Sequence, residues 1–124
     1  MTSIVSSHTP PRDQLERNAL RLLCSNLIQP VTRVELTGLL DASLFSDELH
    51  RTVFEEIAAL GDVTARKLRE LLAARVTNRG FPDFDLTEFL GRDQATEAEI
   101  EELFTSVLSL VELRHGSEES GPEN

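Results

Sequence analysis

The chain has 124 residues, 40% of them hydrophobic and 27% charged, with 22 acidic against 12 basic side chains and a formal net charge of −10. That length holds one domain with one core, and the acidic balance argues against general adhesion to nucleic acid or anionic membrane. No apolar run approaches the roughly 20 residues that span a bilayer, and the lone Cys24 allows neither an internal disulfide nor a cysteine-based zinc site.

Residues 1–10 are polar and without periodicity, and they carry no basic n-region or apolar h-region. They read as a flexible arm rather than a secretory signal, which makes cytoplasmic the expected location. Thr9-Pro10-Pro11 punctuates the start of a first helix, with Asp13 in its opening turn. Leu15, Ala19, Leu22, Leu23 and Leu27 form its apolar stripe, with Leu20 and Ile28 beside it; Cys24 borders the stripe as a small hydrophobe. Pro30 is expected to end this helix. Thr32-Arg33-Val34-Glu35 then has the form of a capping box, opening a short helix that carries Leu36, Leu39 and Leu40 into the core.

Residues 39–60, LLDASLFSDELHRTVFEEIAAL, read as the central helix. Phe45, Leu49, Val53 and Ile57 recur every four residues, and Phe54 and Ala58 widen the stripe. Asp47, Glu48, Arg51, Glu55 and Glu56 are left for solvent. Ser43 or Ser46 is the expected cap, and Gly61 supplies the C-terminal turn. Thr64 can cap a fourth helix with Leu68, Leu71, Leu72 and Val76 inside. Its basic residues, Arg66, Lys67, Arg69, Arg75 and Arg79, lie mostly outside that face.

In Arg79-Gly80-Phe81-Pro82-Asp83-Phe84, Gly80 allows positive φ and Pro82 blocks helix, so two aromatics are expected to pin a loop onto the core. Asp85-Leu86-Thr87-Glu88 is a second capping box, starting a short helix that stops at Gly91. Thr96-Glu97-Ala98-Glu99 is a third, opening a helix with Ile100, Leu103, Phe104, Val107, Leu108 and Val111 on one stripe, enlarged by Leu110 and Leu113. Beyond Arg114 the composition turns to HGSEESGPEN, which has too little apolar surface to fold alone. The expectation is an all-α chain: a flexible arm at 1–10, a compact orthogonal bundle of about six helices, two of them short, over 11–114, and a disordered acidic tail at 115–124.

Chemistry-bearing motifs are sparse. His8 and His115 fall in the expected tails, leaving His50 inside the domain, where it reads as structural or surface polar. A single histidine makes a metal site only if carboxylates join it. Asp83, Asp85 and Glu88 are the close carboxylates outside solvated runs; turn formation and capping account for them better than acid–base or divalent-ion work. No phosphate-binding glycine loop, HExxH or nucleophile elbow is present. No catalytic, cofactor-binding or metal residue is therefore assigned, and no cofactor is expected.

The run LLDASLFSDELHRTVFEEIAALG resembles a segment shared by two bacterial replication domains. These are the C-terminal helicase-interaction domain of DNA primase and the N-terminal domain of the replicative hexameric helicase. The matching positions are Leu44, Phe45, Leu49, His50, Arg51, Phe54 and Ile57, and the later RVTNRGFPDFDLTEFL is more similar to primase. The resemblance covers about residues 13–114 and implies a helical, non-enzymatic interaction bundle of DNA replication whose partner is a replicative helicase. The primase domain continues its last helix into a C-terminal hairpin, for which no room follows here.

Arg66, Lys67, Arg69, Arg75 and Arg79 are the expected partner-binding residues. Two other readings stand beside this one. The first is a nucleic-acid-associated regulator using residues 66–79 as a positive patch. The second is a helical homodimer meeting through Leu110 and Leu113. Direct nucleic-acid or membrane binding is not expected of the main reading.

Overall fold

A computed structural model describes residues 11–90 and 96–120, with 114–120 described by backbone alone. Helices α1 Arg12–Leu23 and α2 Pro30–Leu39 lead to a 3-10 turn, Ala42–Leu44. Then follow α3 Glu48–Leu60, α4 Ala65–Asn78, α5 Leu86–Leu90 and α6 Glu97–Ser120. Among the described residues there is no strand, so the all-α bundle of six helices is the architecture, with α2 and α5 the shorter pair. The expected arm at 1–10, the stop at Gly91 and residues 121–124 lie outside the described residues.

The hub is α1, not the predicted central helix. It packs most extensively on α6 and also touches α2, α3 and α5. Leu15, Ala19, Leu20, Leu22 and Leu23 are buried along it, and so are Glu16 and Asn18. That double burial explains why its apolar pattern understates it: two polar residues lie inside together with the stripe. Asn18 Nδ2 donates to Ser106 Oγ of α6 at 3.0 Å and its Oδ1 accepts from Gln14 at 2.8 Å, so the polar insertion is matched.

The first two helices differ from their expected bounds. α1 stops at Leu23, before Pro30, because its last carbonyls are taken by guanidinium groups from elsewhere. Arg33 Nε donates to Leu23 O at 2.9 Å and Arg69 Nε to Cys24 O at 3.3 Å. Pro30 opens α2 instead of closing α1, in the first-turn position where its missing N–H costs nothing. Thr32 and Glu35 therefore lie inside the helix, and the Thr32 capping box does not form. This register turns Leu36 and Leu40 inward but leaves Leu27, Val31, Val34 and Leu39 exposed, so Leu27 and Leu39 are not core residues.

Between residues 39 and 60 the chain is not one helix. The 3-10 turn and an extended Phe45 come first, and α3 begins at Glu48 with Asp47 as its cap. Asp47 Oδ1 accepts from the N–H groups of Leu49 at 2.8 Å and His50 at 3.2 Å, so neither Ser43 nor Ser46 caps α3. Phe45 is still fully buried, stacked on Phe54 with ring centroids 4.8 Å apart. Ala58, expected on the stripe, is exposed, and Glu56, expected in solvent, is buried.

The remaining local signals act as read. Gly61 ends α3 with φ +69°, and Thr64 Oγ1 accepts from Lys67 N at 3.1 Å to start α4. Asp85 Oδ1 accepts from Glu88 N at 3.2 Å. The Thr96 box is reciprocal: Glu99 N donates to Thr96 Oγ1 at 3.3 Å while Thr96 N donates to Glu99 Oε1 at 3.0 Å. On α6, Leu103, Val107 and Leu110 enter the core, whereas Leu108 and Leu113 face outward. The α6 backbone continues to Ser120, past the compositional change at Arg114; once a helix is nucleated, each further residue adds a hydrogen bond at little cost.

Candidate docking groove and the buried Glu16–His50 pair

The basic residues of α4 do not form one stripe. Residues 65, 66, 69, 70 and 73 share one face, and this face makes one wall of an open groove of about 840 Å³. The opposite wall is the loop and first turn that Pro82, Asp83, Phe84, Asp85 and Thr87 supply. Arg66 and Arg69 line the groove from α4 and Asp83 and Asp85 from the loop, with Ala73, Phe84 and Leu86 adding apolar lining. Arg66 also pairs with Glu70 at 3.5 Å on its own helix, a solvated contact worth little. Lys67 is exposed and lies off the groove wall.

Arg75 and Arg79 point toward α3. Arg75 Nε donates to Glu56 Oε1 at 2.6 Å, Arg79 NH1 to Glu56 Oε2 at 2.8 Å, and Arg79 NH2 to Glu55 Oε1 at 2.8 Å. Burial by itself would raise the Glu56 carboxyl, but the two guanidinium partners hold it below its ordinary value. The five predicted partner-binding residues thus separate into Arg66 and Arg69 on the groove, Lys67 beside it, and Arg75 and Arg79 locking α4 to α3.

The Arg79–Phe84 loop is pinned as its aromatics suggested. Phe81 and Phe84 are half-buried, Phe84 lies 5.5 Å from Phe89 ring to ring, and a second hollow of about 300 Å³ forms between this loop and Leu49. Asp85 is occupied in capping α5, and Asp83, Asp85 and Glu88 do not converge as a ligand set.

A different polar centre sits where α1 crosses the start of α3. Glu16 is fully buried. Its Oε2 accepts from Ser46 N and Ser46 Oγ, each at 2.8 Å, and its Oε1 from Asp47 N at 3.4 Å. His50 Nδ1 lies 2.8 Å from Oε1 and Arg12 Nε 3.3 Å from Oε2. Burial pushes the Glu16 carboxyl up, yet the hydrogen bonds from Ser46, His50 and the Asp47 N–H together bring it below its ordinary value, so it is a carboxylate at neutral pH. A carboxylate only accepts, so the hydrogen between the two side chains belongs to Nδ1 of His50.

The His50 ring is covered by the edge of Phe89 at 5.4 Å between centroids, and Arg17 stacks over the other part of that aromatic at 5.0 Å. Among the resemblance positions, Leu44, Phe45, Phe54 and Ile57 are buried, Leu49 is half-buried, and Arg51 reaches Ser46 O at 3.5 Å. The sequence left His50 as structural or surface polar; it is buried, and nothing in the sequence brought Glu16 to it. The available signal was local only: Asp47 and His50 are three apart, one helical turn.

Cys24 is fully buried, and burial pushes its thiol up to about 12, which leaves it an inert hydrophobe. Compared with known proteins, the chain matches no family model, no curated protein and no solved structure.

Proposed function

We propose that this chain is a non-catalytic protein-interaction module of DNA replication that docks on a replicative helicase or a related replication protein. The observation that carries the docking part is the groove between α4 and residues 82–87, whose lining combines Arg66 and Arg69, the carboxylates Glu70, Asp83 and Asp85, and the apolar Ala73, Phe84 and Leu86. A partner helix with apolar anchors and charges of both signs fits such a surface, the apolar contacts supplying affinity and the charges orientation. The replication assignment is supported by the resemblance of residues 39–61 to the helicase-interaction segment of primase. The nucleic-acid reading is disfavoured because Arg75 and Arg79 are neutralised by Glu55 and Glu56.

Calorimetric titration of the full chain against the replicative helicase of its own source tests the proposal. Binding at micromolar affinity or better is expected. Arg66→Glu and Thr87→Trp, both exposed positions lining the groove, are expected to weaken it at least tenfold without lowering Tm. No heat of binding at high concentration rejects the helicase as partner; binding that neither substitution changes rejects the groove.

A further inference from the structure

We propose that Asp13, Asp47 and His50 bind a first-row transition-metal dication of the zinc or manganese type, which ties the start of α1 to the start of α3. One ligand atom from each of the three side chains lies within 4.8 Å of the other two. Convergence of acidic groups alone would carry little, but the imidazole adds an independent constraint. His50 is 2% exposed, and its Nδ1–H is directed to Glu16. Nε2 is the ring nitrogen left facing the two carboxylates, and it has no hydrogen-bond partner among the described residues. The nearest charged oxygen, Asp13 Oδ1, stands 3.8 Å away. The negative charges of Asp13 and Asp47, gathered beside this ring nitrogen, are an arrangement that a bound cation relieves.

Glu16 completes the case. Metal-ligating histidines usually donate their second ring N–H to a carboxylate, which fixes the tautomer, orients the ring and raises the basicity of the ligating nitrogen. Here that carboxylate is buried and immobilised by Ser46, Asp47 N–H and Arg12. Asp47 is oriented by the two N–H groups it caps through Oδ1, which leaves Oδ2 for an ion.

Ligands at about 2.1 Å in a tetrahedral set lie roughly 3.4 Å apart, so a bound ion draws the three groups closer. Asp13 can supply that movement, since its side chain is 68% exposed whereas His50 is held. One imidazole with two carboxylates suits zinc or manganese; calcium and magnesium prefer all-oxygen shells. The positive end of α3 and the cations Arg12 and Arg51 oppose the ion. The charges of Asp13, Asp47 and Glu16 outweigh them, and Arg12 and Arg51 are each engaged with other oxygens.

The test uses the full chain stripped of metal with a chelator and titrated with zinc chloride, then with manganese chloride. One equivalent is expected to bind, and excess zinc at about a hundred times Kd should raise Tm by more than about 5 °C. ¹⁵N spectra should move the Nε2 resonance of His50 to a metal-bound position, which a proton at the same nitrogen would not reproduce. Asp13→Asn changes an exposed side chain and should leave the metal-free Tm intact while weakening binding at least tenfold. His8→Gln/His115→Gln should bind as tightly as the unaltered chain. Absence of binding overturns the proposal. So do unchanged affinity in Asp13→Asn, loss of binding in the double histidine variant, or a Nε2 resonance that only a proton moves.

Discussion

Replacing Arg33 with methionine keeps most of the volume of a fully buried side chain and removes its charge and donors. In the native fold Nε bonds Leu23 O at 2.9 Å, and NH1 bonds Gly61 O at 2.9 Å and Val63 O at 2.6 Å. One cation thus fastens the end of α1 and the α3–α4 turn to α2. Hydrogen bonds to a charged group contribute about 1.5–3 kcal/mol each, so three give a gross of roughly 4.5–9 kcal/mol. Against this stand the desolvation of the guanidinium and the buried NH2 that has no partner. Gly61 and Val63 are half-exposed, so water can replace Arg33 at their carbonyls, while Leu23 is buried and its carbonyl cannot be rescued.

The expected loss is about 3 kcal/mol, and Arg33→Lys, which can reach fewer carbonyls, should lose roughly half as much. Urea unfolding followed by circular dichroism at 222 nm measures it, with the m-value required to stay constant. A loss below about 1 kcal/mol in Arg33→Met would refute the reasoning, because desolvation would then cancel the three bonds. Equal losses in both variants would show that the fork geometry of arginine contributes nothing.

Glu16 and Glu56 both have folded-state pKa values below the ordinary 4.5. The unfolded chain then binds more protons than the native one below pH 4.5, so their stabilisation is complete above that value and declines as pH falls through the native pKa values. Unfolding free energy measured from pH 7 to pH 3 should drop on the acid side, and Glu56→Gln should flatten part of that drop; an unchanged profile would count against the Arg75–Glu56–Arg79 account. Leu110→Ala should cost about 2–5 kcal/mol, since Leu110 is fully buried, whereas Leu113→Ala, at an exposed site, should stay within about 0.5 kcal/mol. Comparable effects by urea titration would mean that α6 does not seat as described. Leu110 is also thereby removed from any surface that could meet a second copy.

What the sequence determined by itself was the local grammar. Apolar residues at helical spacing made the chain all-α, and Thr64, Asp85, Thr96 with Glu99, and Gly61 marked helix ends correctly, because each acts on backbone groups within four residues. Where two local signals competed, neither the spacing nor the composition could choose. Pro30 reads as the stop of α1 and Thr32 as the start of α2, whereas the packing of Leu36 and the reach of Arg33 to distant carbonyls go with the register that Pro30 opens.

Only the tertiary structure decided which polar residues go inside. Glu16 meets His50 across 34 positions of chain, Arg33 reaches Val63 across 30, and Arg75 reaches Glu56 across 19. Pattern alone leaves Glu56 to solvent and puts Arg33 in a capping box, since a charge is stable inside only when a partner from another element neutralises or hydrogen-bonds it. The same packing divided the basic residues of α4 between a groove and an internal lock, and it brought Asp13, Asp47 and His50 together from two helix starts that the sequence presents as unrelated.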